Sequence, residues 1–193
     1  MYGRSMDNRE KIMQCALELF SDKGYEGTGI QEITCAAGIT KPTLYYYFGN
    51  KEGLLKAILE YHFSDFAKKL EHAATYNGDT VNTITQLSRM FLTVAKEKAL
   101  FYRMYLSMSS SSVNTTSFLC ITPFCEQLIG IVETFFLKAA QDNGNMKGHE
   151  KEITMSYLGM INSYVLLLLN NKLELSEALI YRIVHLFLHG IYS

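Results

Sequence analysis

This sequence has little proline, no tryptophan and no excess of charge of either sign. Among 193 residues there are two prolines and no tryptophan, and the formal net charge is -1. Scarcity of proline leaves long helices uninterrupted. A nearly neutral chain has no overall basic field to attract nucleic acid or an anionic membrane. Any partner of that kind has to be recognised by a local surface.

Motifs of enzymes and of metal sites are missing as well. The chain contains no nucleophile elbow and no phosphate-binding glycine loop, so we expect no enzymatic activity and no cofactor. His185 and His189 have the i,i+4 spacing of a metal-binding pair, but no Glu or Cys stands beside them, and we expect no metal. The four cysteines lack zinc-site spacing. Since the N-terminus shows no export signal, we expect reduced thiols and a cytoplasmic protein.

Apolar residues recur with the 3.6-residue period of helices along the whole chain, which predicts an all-α fold. Thr28 and Thr40 are predicted to cap the second and third helices, and Gly24 and Gly38 to end the first and second. The predicted helices cover about residues 8–23, 28–37, 41–48, 51 to beyond 70, 79–95, 98–108, 117–142, 147–171 and 176–191.

Two stretches need a separate interpretation. The polar segment SMSSSSVNTT, residues 107–116, predicts a flexible loop. The uncharged stretch 153–171 is nearly long enough to span a membrane, but it contains Thr, Ser and Asn. We therefore interpret it as a helix of a soluble protein that is buried on more than one side, and expect no membrane association.

The second and third helices, joined by a tight turn at Gly38, suggest a helix-turn-helix. On the third helix Leu44 and Phe48 share one face and are its natural core contacts. Thr43 and Tyr45, Tyr46 and Tyr47 then lie elsewhere, and Lys41 and Lys51 bracket the helix with positive charge. A phenol can donate to a phosphate oxygen while its ring packs on a sugar or a thymine methyl group, so this short helix predicts a DNA-reading surface.

The segment ALELFSDKGYEGTGIQEITCAAGITKPTLYYYFGNKEGLL, residues 16–55, resembles the N-terminal domain of TetR-family transcriptional regulators. The resemblance rests on the pairs Leu19-Phe20, Gly24-Tyr25, Ala37-Gly38 and Lys51-Glu52, together with Ile33, Thr43-Leu44-Tyr45 and Phe48. It implies an all-α protein with a three-helix helix-turn-helix DNA-binding domain at residues 7–53, whose helix-turn-helix occupies about 29–48. A larger helical effector-binding and dimerisation domain would follow at 54–193.

The resemblance also implies the partner and its contacts. The partner would be double-stranded DNA with a palindromic operator. Contacts to bases or the nearby backbone would come from Lys41, Pro42, Thr43 and Tyr45, and contacts mainly to phosphates from Tyr46, Tyr47 and Lys51, with Thr28 also in the DNA-binding set. Gly29 departs from the Thr or Ser usual at its position.

The C-terminal part would bind a small effector and a second copy of the chain. We expect an apolar pocket lined by Phe63, Phe66, Phe91, Tyr102, Tyr105, Phe124, Tyr157 and Tyr164. For each of these residues, ordinary core packing is the competing interpretation. The dimer, which the resemblance implies is formed by the last two helices, would bury Val165, Leu168, Leu169, Ile183 and Phe187.

The predicted function is that of a homodimeric repressor released from its operator by a small, hydrophobic ligand. The alternative is a helical ligand-binding or adaptor protein that does not bind DNA. A buried Tyr46–Tyr47 face would favour that alternative.

Overall fold

The computed structural model of the chain describes residues 7–190, and this part of the chain contains helices but no β-strand. The all-α prediction is confirmed. The helices are α1 (Asn8–Lys23), α2 (Ile30–Ala37), α3 (Lys41–Phe48), α4 (Lys51–Ala73), α5 (Thr80–Glu97), α6 (Ala99–Ser109), α7 (Thr116–Asp142), α8 (Glu150–Leu169) and α9 (Glu177–His189), with a 3-10 turn at Gly144–Met146. The predicted end of the last helix at Ile191 lies outside the described residues.

The helices divide between two compact units. The first unit contains the residues up to Ser64 together with Leu100–Pro123, and the second contains Asp65–Ala99 and the residues from Phe124 onward. α4 and α7 therefore contribute residues to both units. The predicted boundary between a DNA-binding and an effector domain after residue 53 stays a prediction.

Helices α1 to α4 build the core of the first unit. α1 ends at Gly24, which adopts a positive φ of 77° and donates its N–H to the carbonyl of Phe20. Each completely buried Leu, Ile or Phe side chain contributes about 1.5–3 kcal/mol. These buried residues fix α3 on a rigid base: Ile12, Ala16 and Phe20 of α1, Ile33 and Ala37 of α2, Leu44 of α3, and Leu54, Leu55 and Ile58 of α4.

Helices α7 and α8 are long and apolar enough to cross a membrane by length and composition alone, a test that core helices of soluble proteins also pass. Only 39% of the most apolar stretch of α8 is buried within this chain. The prediction that this helix is buried on more than one side stays a prediction, because it includes cover from a second copy of the chain. One side of α8 packs in the core of the second unit, and the other side is exposed to solvent.

The core of the second unit is an aromatic cluster around Tyr157 of α8. The Tyr157 ring lies 6.3 Å from Phe91, 6.0 Å from Phe136 and 5.3 Å from Phe187, measured between ring centroids. Its hydroxyl group is 3.1 Å from the Ser88 hydroxyl, so the buried phenol has a hydrogen-bond partner. Burial raises the pKa of Tyr157 well above its usual range because the phenolate would be poorly solvated there.

Alkaline pH should therefore destabilise the second unit through Tyr157. Above about pH 10 the unfolded chain releases the phenol proton while the folded chain retains it, so the free energy of unfolding falls by about 1.4 kcal/mol per pH unit. Below that pH the contribution is constant. In Tyr157→Phe this loss is absent, at the cost of about 1 kcal/mol for the hydrogen bond to Ser88.

Urea unfolding of both proteins between pH 8 and pH 11 tests this expectation. Other groups titrate equally in the two proteins, so the difference between their stabilities isolates Tyr157. Parallel stability curves above pH 10 would show that Tyr157 ionises without unfolding.

Candidate nucleic-acid interface

The turn between α2 and α3 is set by Gly38. This residue has φ 64° and ψ 38°, the left-handed conformation in which glycine has no steric penalty. Its N–H donates to the carbonyls of Cys35 and Thr34 at the end of α2, and the N–H of Ile39 also donates to the carbonyl of Thr34. Only residues 38–40 separate the two helices. The predicted helix-turn-helix connection is present.

The start of α3 follows its sequence signals. Thr40 accepts a hydrogen bond from the backbone N–H of Thr43 at 3.4 Å, and its hydroxyl lies 2.9 Å from the Thr43 hydroxyl. Pro42 stands in the first turn, where its missing N–H removes no helical hydrogen bond. The N-terminal end of α3 is thereby fixed, and the predicted cap at Thr40 is confirmed.

The faces of α3 separate core contacts from exposed rings. Leu44 is completely buried, and Phe48 is half-buried with the Arg9 guanidinium 5.5 Å above its ring. Tyr45 and Tyr46 are exposed to 45% and 84% of their surface. Tyr47 is half-buried and packs edge-on against Tyr46, with 5.2 Å between the ring centroids. The helix therefore presents two phenols directly to solvent and supports one of them with a third.

The junction between α3 and α4 contains two residues that the sequence interpretation missed. The side-chain oxygen of Asn50 accepts the backbone N–H of Gly53 at 2.7 Å and so caps α4. A Cβ atom on Gly53 would lie 2.1 Å from the carbonyl oxygen of Phe48, the last residue of α3. The close approach of α3 to α4 thus depends on glycine at position 53. The signal in the sequence was the segment NKEG, in which an Asn that can cap a helix stands three residues before a Gly.

Lys51 and Thr28, which were predicted to contact DNA, both donate hydrogen bonds to backbone carbonyls of the turn between α1 and α2. The Lys51 ammonium donates to the carbonyls of Tyr25 (2.8 Å) and Thr28 (2.9 Å) and lies 4.1 Å from the centroid of the Tyr25 ring. Burial lowers the pKa of Lys51, an effect that the nearby Glu26 carboxylate opposes. Both hydrogen bonds draw the lysine towards the turn between α1 and α2.

Thr28 is 1% exposed, and its hydroxyl donates to the carbonyl of Gly24 at 2.8 Å. The predicted cap of α2 by Thr28 is wrong, because the helix begins at Ile30 and Gly29 occupies the capping position without a side-chain acceptor. Both Lys51 and Thr28 stabilise the turn that precedes α2.

The positive charge next to α3 is small. Lys56 is 2.6 Å from the carboxylate of Glu52, and Lys51 is directed to the carbonyls of the α1–α2 turn. Lys41 is exposed at the N-terminal end of α3, and none of the hydrogen bonds or ion pairs found among the described residues occupies it. Lys41 is thus the lysine of this surface most available to a phosphate.

The residues predicted to line an effector pocket fall into two aromatic clusters. Phe63, Tyr102 and Tyr105 are buried in the first unit, where the Phe63 ring lies 5.8 Å from that of Tyr105. Phe66, Phe91 and Tyr157 are buried in the second unit. The remaining two, Phe124 and Tyr164, are half-buried. A groove of about 410 Å³ in the second unit is lined by other residues, among them Ala73, Met90 and Val94.

The residues predicted for the dimer interface lie inside the protomer. Val165, Leu168, Leu169 and Ile183 are buried, and Phe187 is half-buried against Tyr157. The exposed side of α8 and α9 consists of different residues. Its large apolar members are Met155, Leu166, Leu167, Tyr181 and Leu186.

The two histidines of α9 are exposed on the same side of the helix. The rings of His185 and His189 lie 4.5 Å apart, and Tyr181 stacks on His185. In the part of the chain that the structure describes, no group of three or more potential metal ligands includes them.

Comparison with known proteins places the N-terminal region in a family. Residues 12–58 match the domain described as "Bacterial regulatory proteins, tetR family". The chain is 36% identical over 104 residues to the HTH-type transcriptional regulator YuxN of Bacillus subtilis, a match that covers 53% of this chain and 34% of that protein. It is 30% identical over 105 residues to the biofilm operon negative transcriptional regulator IcaR of Staphylococcus epidermidis, covering 53% and 54%. The chain thus spans about a third to a half of the length of these relatives.

Solved structures show the same fold over nearly the whole chain. The transcriptional regulator FadR from Bacillus subtilis, in complex with stearoyl-CoA, superposes with a TM-score of 0.75 at 20% identity and covers 94% of this chain and 98% of its own. AibR, in complex with isovaleryl coenzyme A and operator DNA, superposes with a TM-score of 0.74 at 24% identity and covers 93% and 97%. At these identities the likeness concerns the fold alone.

Proposed function

The chain belongs to the TetR family of bacterial transcriptional regulators, and we propose that it is a homodimeric repressor that leaves its operator when a small hydrophobic molecule binds. The observation that carries this proposal is the outer face of α3, the second helix of the helix-turn-helix. Tyr45 and Tyr46 are exposed on this face, and the start of the helix is fixed by its cap. Exposed aromatic rings can contact the groove of DNA. The exposed lysine at the N-terminal end of the same helix can contact its phosphates.

The rival function, a helical adaptor without DNA binding, has less support. Its expected sign was a buried Tyr46–Tyr47 face, whereas Tyr46 has 84% of its surface exposed. Retardation of DNA separates the two functions.

The predicted DNA contacts now differ in their support. Lys41, Pro42, Tyr45 and Tyr46 are exposed, and Thr43 and Tyr47 are half-buried. We propose that these side chains touch DNA, and that Lys51 and Thr28 act through the turn before α2. Since Lys41 and Arg9 are the exposed cations described beside α3, we expect modest nonspecific affinity.

The proposed effector carries an apolar group that enters the protein. Its support is the aromatic cluster of the second unit. The rings of this cluster provide apolar contacts for a ligand, and the Tyr157 hydroxyl provides one polar contact. FadR and AibR were solved with acyl-CoA compounds, and we extend that ligand class, an acyl chain on a polar carrier, to this chain as the first to test.

The test uses the full chain and DNA from the region upstream of its own gene. Fluorescence anisotropy should show specific binding that survives competitor DNA. Each neutralised phosphate adds about 0.9 to the slope of log affinity against log salt, and we expect a slope shallower than about −8. Absence of specific binding would contradict the DNA role. A steeper slope would contradict the small set of phosphate contacts.

Ligand release is tested in the same assay. Stearoyl-CoA and isovaleryl-CoA are the probes, and free coenzyme A is the control for the polar carrier. We expect one of the acyl compounds to lower operator affinity at least tenfold while coenzyme A has no effect. If neither acyl compound lowers operator affinity, the proposed ligand class is contradicted while the DNA role stands.

A further inference from the structure

The serine- and threonine-rich segment between α6 and α7 is held in place by its own hydroxyl groups. Ser111 donates to the carbonyl of Met108 at 2.7 Å, and its hydroxyl lies 3.2 Å from that of Thr115 and 3.3 Å from that of Ser117. Thr115 in turn donates to the carbonyl of Ser112 at 2.7 Å. The prediction of a flexible loop here misses this network, which fixes the first turn of α7 to the end of α6.

The same first turn is bound by a carboxylate from the turn between α1 and α2. Glu26 accepts the backbone N–H of Ser117 at 3.2 Å and its hydroxyl at 3.0 Å. The first N–H groups of a helix have no partner within it and carry a partial positive charge, which a carboxylate satisfies and stabilises. Ser117 is 3% exposed, so its N–H depends on this acceptor. Glu26 therefore caps α7 from a distant part of the chain.

The turn that carries Glu26 also positions the DNA-reading helix. Lys51, at the start of α4, holds the carbonyls of Tyr25 and Thr28, which flank Glu26. α3 ends at Phe48 and packs against α4 at Gly53. The α1–α2 turn is thus tied on one side to the helix that follows α3, and on the other side to α7.

We propose that Glu26 is the positioning residue through which α7 and the reading helix α3 influence each other. The remainder of α7, from Phe124, belongs to the second unit, where Phe136 contacts Tyr157. A ligand that repacks this cluster would displace α7, and Ser117 would carry the displacement to the α1–α2 turn. This inference rests on the proposed function, since it assigns the route by which that function is regulated.

Coupling between two sites is reciprocal, so the route can be tested without knowing the effector. If α7 biases the reading helix, then DNA bound to the reading helix must bias α7. The reporters are the backbone amides of Ser117 to Cys120. Their hydrogen exchange is measured in the full chain with and without its upstream DNA. We expect DNA to slow their exchange at least about fivefold, the lower end of common coupling factors.

In Glu26→Ala this effect of DNA on residues 117–120 should disappear, while DNA still protects the amides of α3. A role of Glu26 in stability alone would speed exchange equally with and without DNA and would leave their ratio unchanged. Glu26→Gln retains an acceptor for Ser117 and should preserve part of the effect. Glu60→Ala, which removes an exposed glutamate from α4, is the matched control and should behave as the parent.

Because Glu26 is exposed, its variants should fold, and circular dichroism checks this. If the parent fails to bind the DNA, the proposed function is contradicted. If the parent binds DNA but exchange at residues 117–120 is unchanged, or if the change persists in Glu26→Ala, the coupling through Glu26 is overturned while DNA binding stands.

Discussion

Replacing Tyr46 by alanine is expected to weaken operator binding by about 30- to 1,000-fold and to leave the stability of the protein unchanged. A side chain in contact with DNA contributes about 1–2 kcal/mol, and a dimer loses two such contacts, which gives about 2–4 kcal/mol in total. The stability should hold because 84% of the Tyr46 surface is already exposed and its removal leaves no cavity. Anisotropy with upstream DNA and thermal unfolding measure the two effects.

Two further variants make this expectation specific. Tyr61→Ala removes an equally large ring from α4, where Tyr61 is 65% exposed, and should bind DNA as the parent does. Tyr46→Phe retains the ring and removes the hydroxyl, so it divides the loss between stacking on the DNA and a hydrogen bond to a phosphate or base. Equal affinities of Tyr46→Ala and Tyr61→Ala would place the DNA contact elsewhere on the protein.

Local signals made helix α3 predictable from the sequence. α3 runs from Lys41 to Phe48 as predicted, because the cap at Thr40, the early Pro42 and the left-handed Gly38 act within a few residues of the helix. The division of its side chains was also largely predictable, since Leu44 is buried and Tyr45 and Tyr46 are exposed. Spacing alone overstated the burial of Phe48, which is half-buried beside Arg9.

Contacts between distant residues were beyond sequence reasoning. Lys51 binds carbonyls 23 and 26 residues earlier in the chain, and Glu26 caps a helix 91 residues later. The sequence shows where the lysine stands in the chain, but it does not show which carbonyl groups its ammonium contacts. Thr28 illustrates the same limit, since its hydroxyl bonds Gly24 only because the intervening residues form a compact turn. These contacts decide how α3 is held.

Periodicity identifies buried residues without saying what buries them. Phe63 and Phe66 are three positions apart on α4, yet Phe63 packs in the first unit and Phe66 in the second. The leucines of α8 show the converse case. Leu168 and Leu169 are covered by their own chain, whereas Leu166 and Leu167, with the same side chain, are 45% and 43% exposed.

The exposed side of α8 has the features of an interface between two copies of the chain. Small residues, Ser156, Gly159 and Ser163, lie along the same stripe as Met155 and the Leu166–Leu167 pair. A Cβ atom added to Gly159 would meet nothing within 4 Å, so a second helix can approach closely there. Exposed apolar area in a continuous stripe favours association. We propose that the two copies meet across this stripe and the adjoining face of α9.

The double substitution Leu166→Glu with Leu167→Glu should therefore convert the dimer to a monomer and reduce operator affinity by about 10²- to 10⁴-fold. Four carboxylates would face each other across a two-fold interface, where their desolvation and repulsion oppose association. A monomer presents one reading helix, and it loses the gain in effective concentration that a tethered second helix provides. Sedimentation equilibrium measures the oligomeric state, and anisotropy with upstream DNA measures the affinity.

The control carries the same two substitutions on other helices. Leu100 of α6 and Leu137 of α7 are 39% and 50% exposed, so Leu100→Glu with Leu137→Glu matches the test variant in charge and exposure. It should remain a dimer and bind DNA as the parent does, since these residues lie outside the α8 stripe. A variant at Leu166 and Leu167 that stays dimeric would show that the copies associate through a different face. A monomeric variant with full affinity would show that a single α3 is sufficient for binding. That result would contradict a palindromic operator whose two half-sites, about 34–36 Å apart, are bound by two copies of the chain.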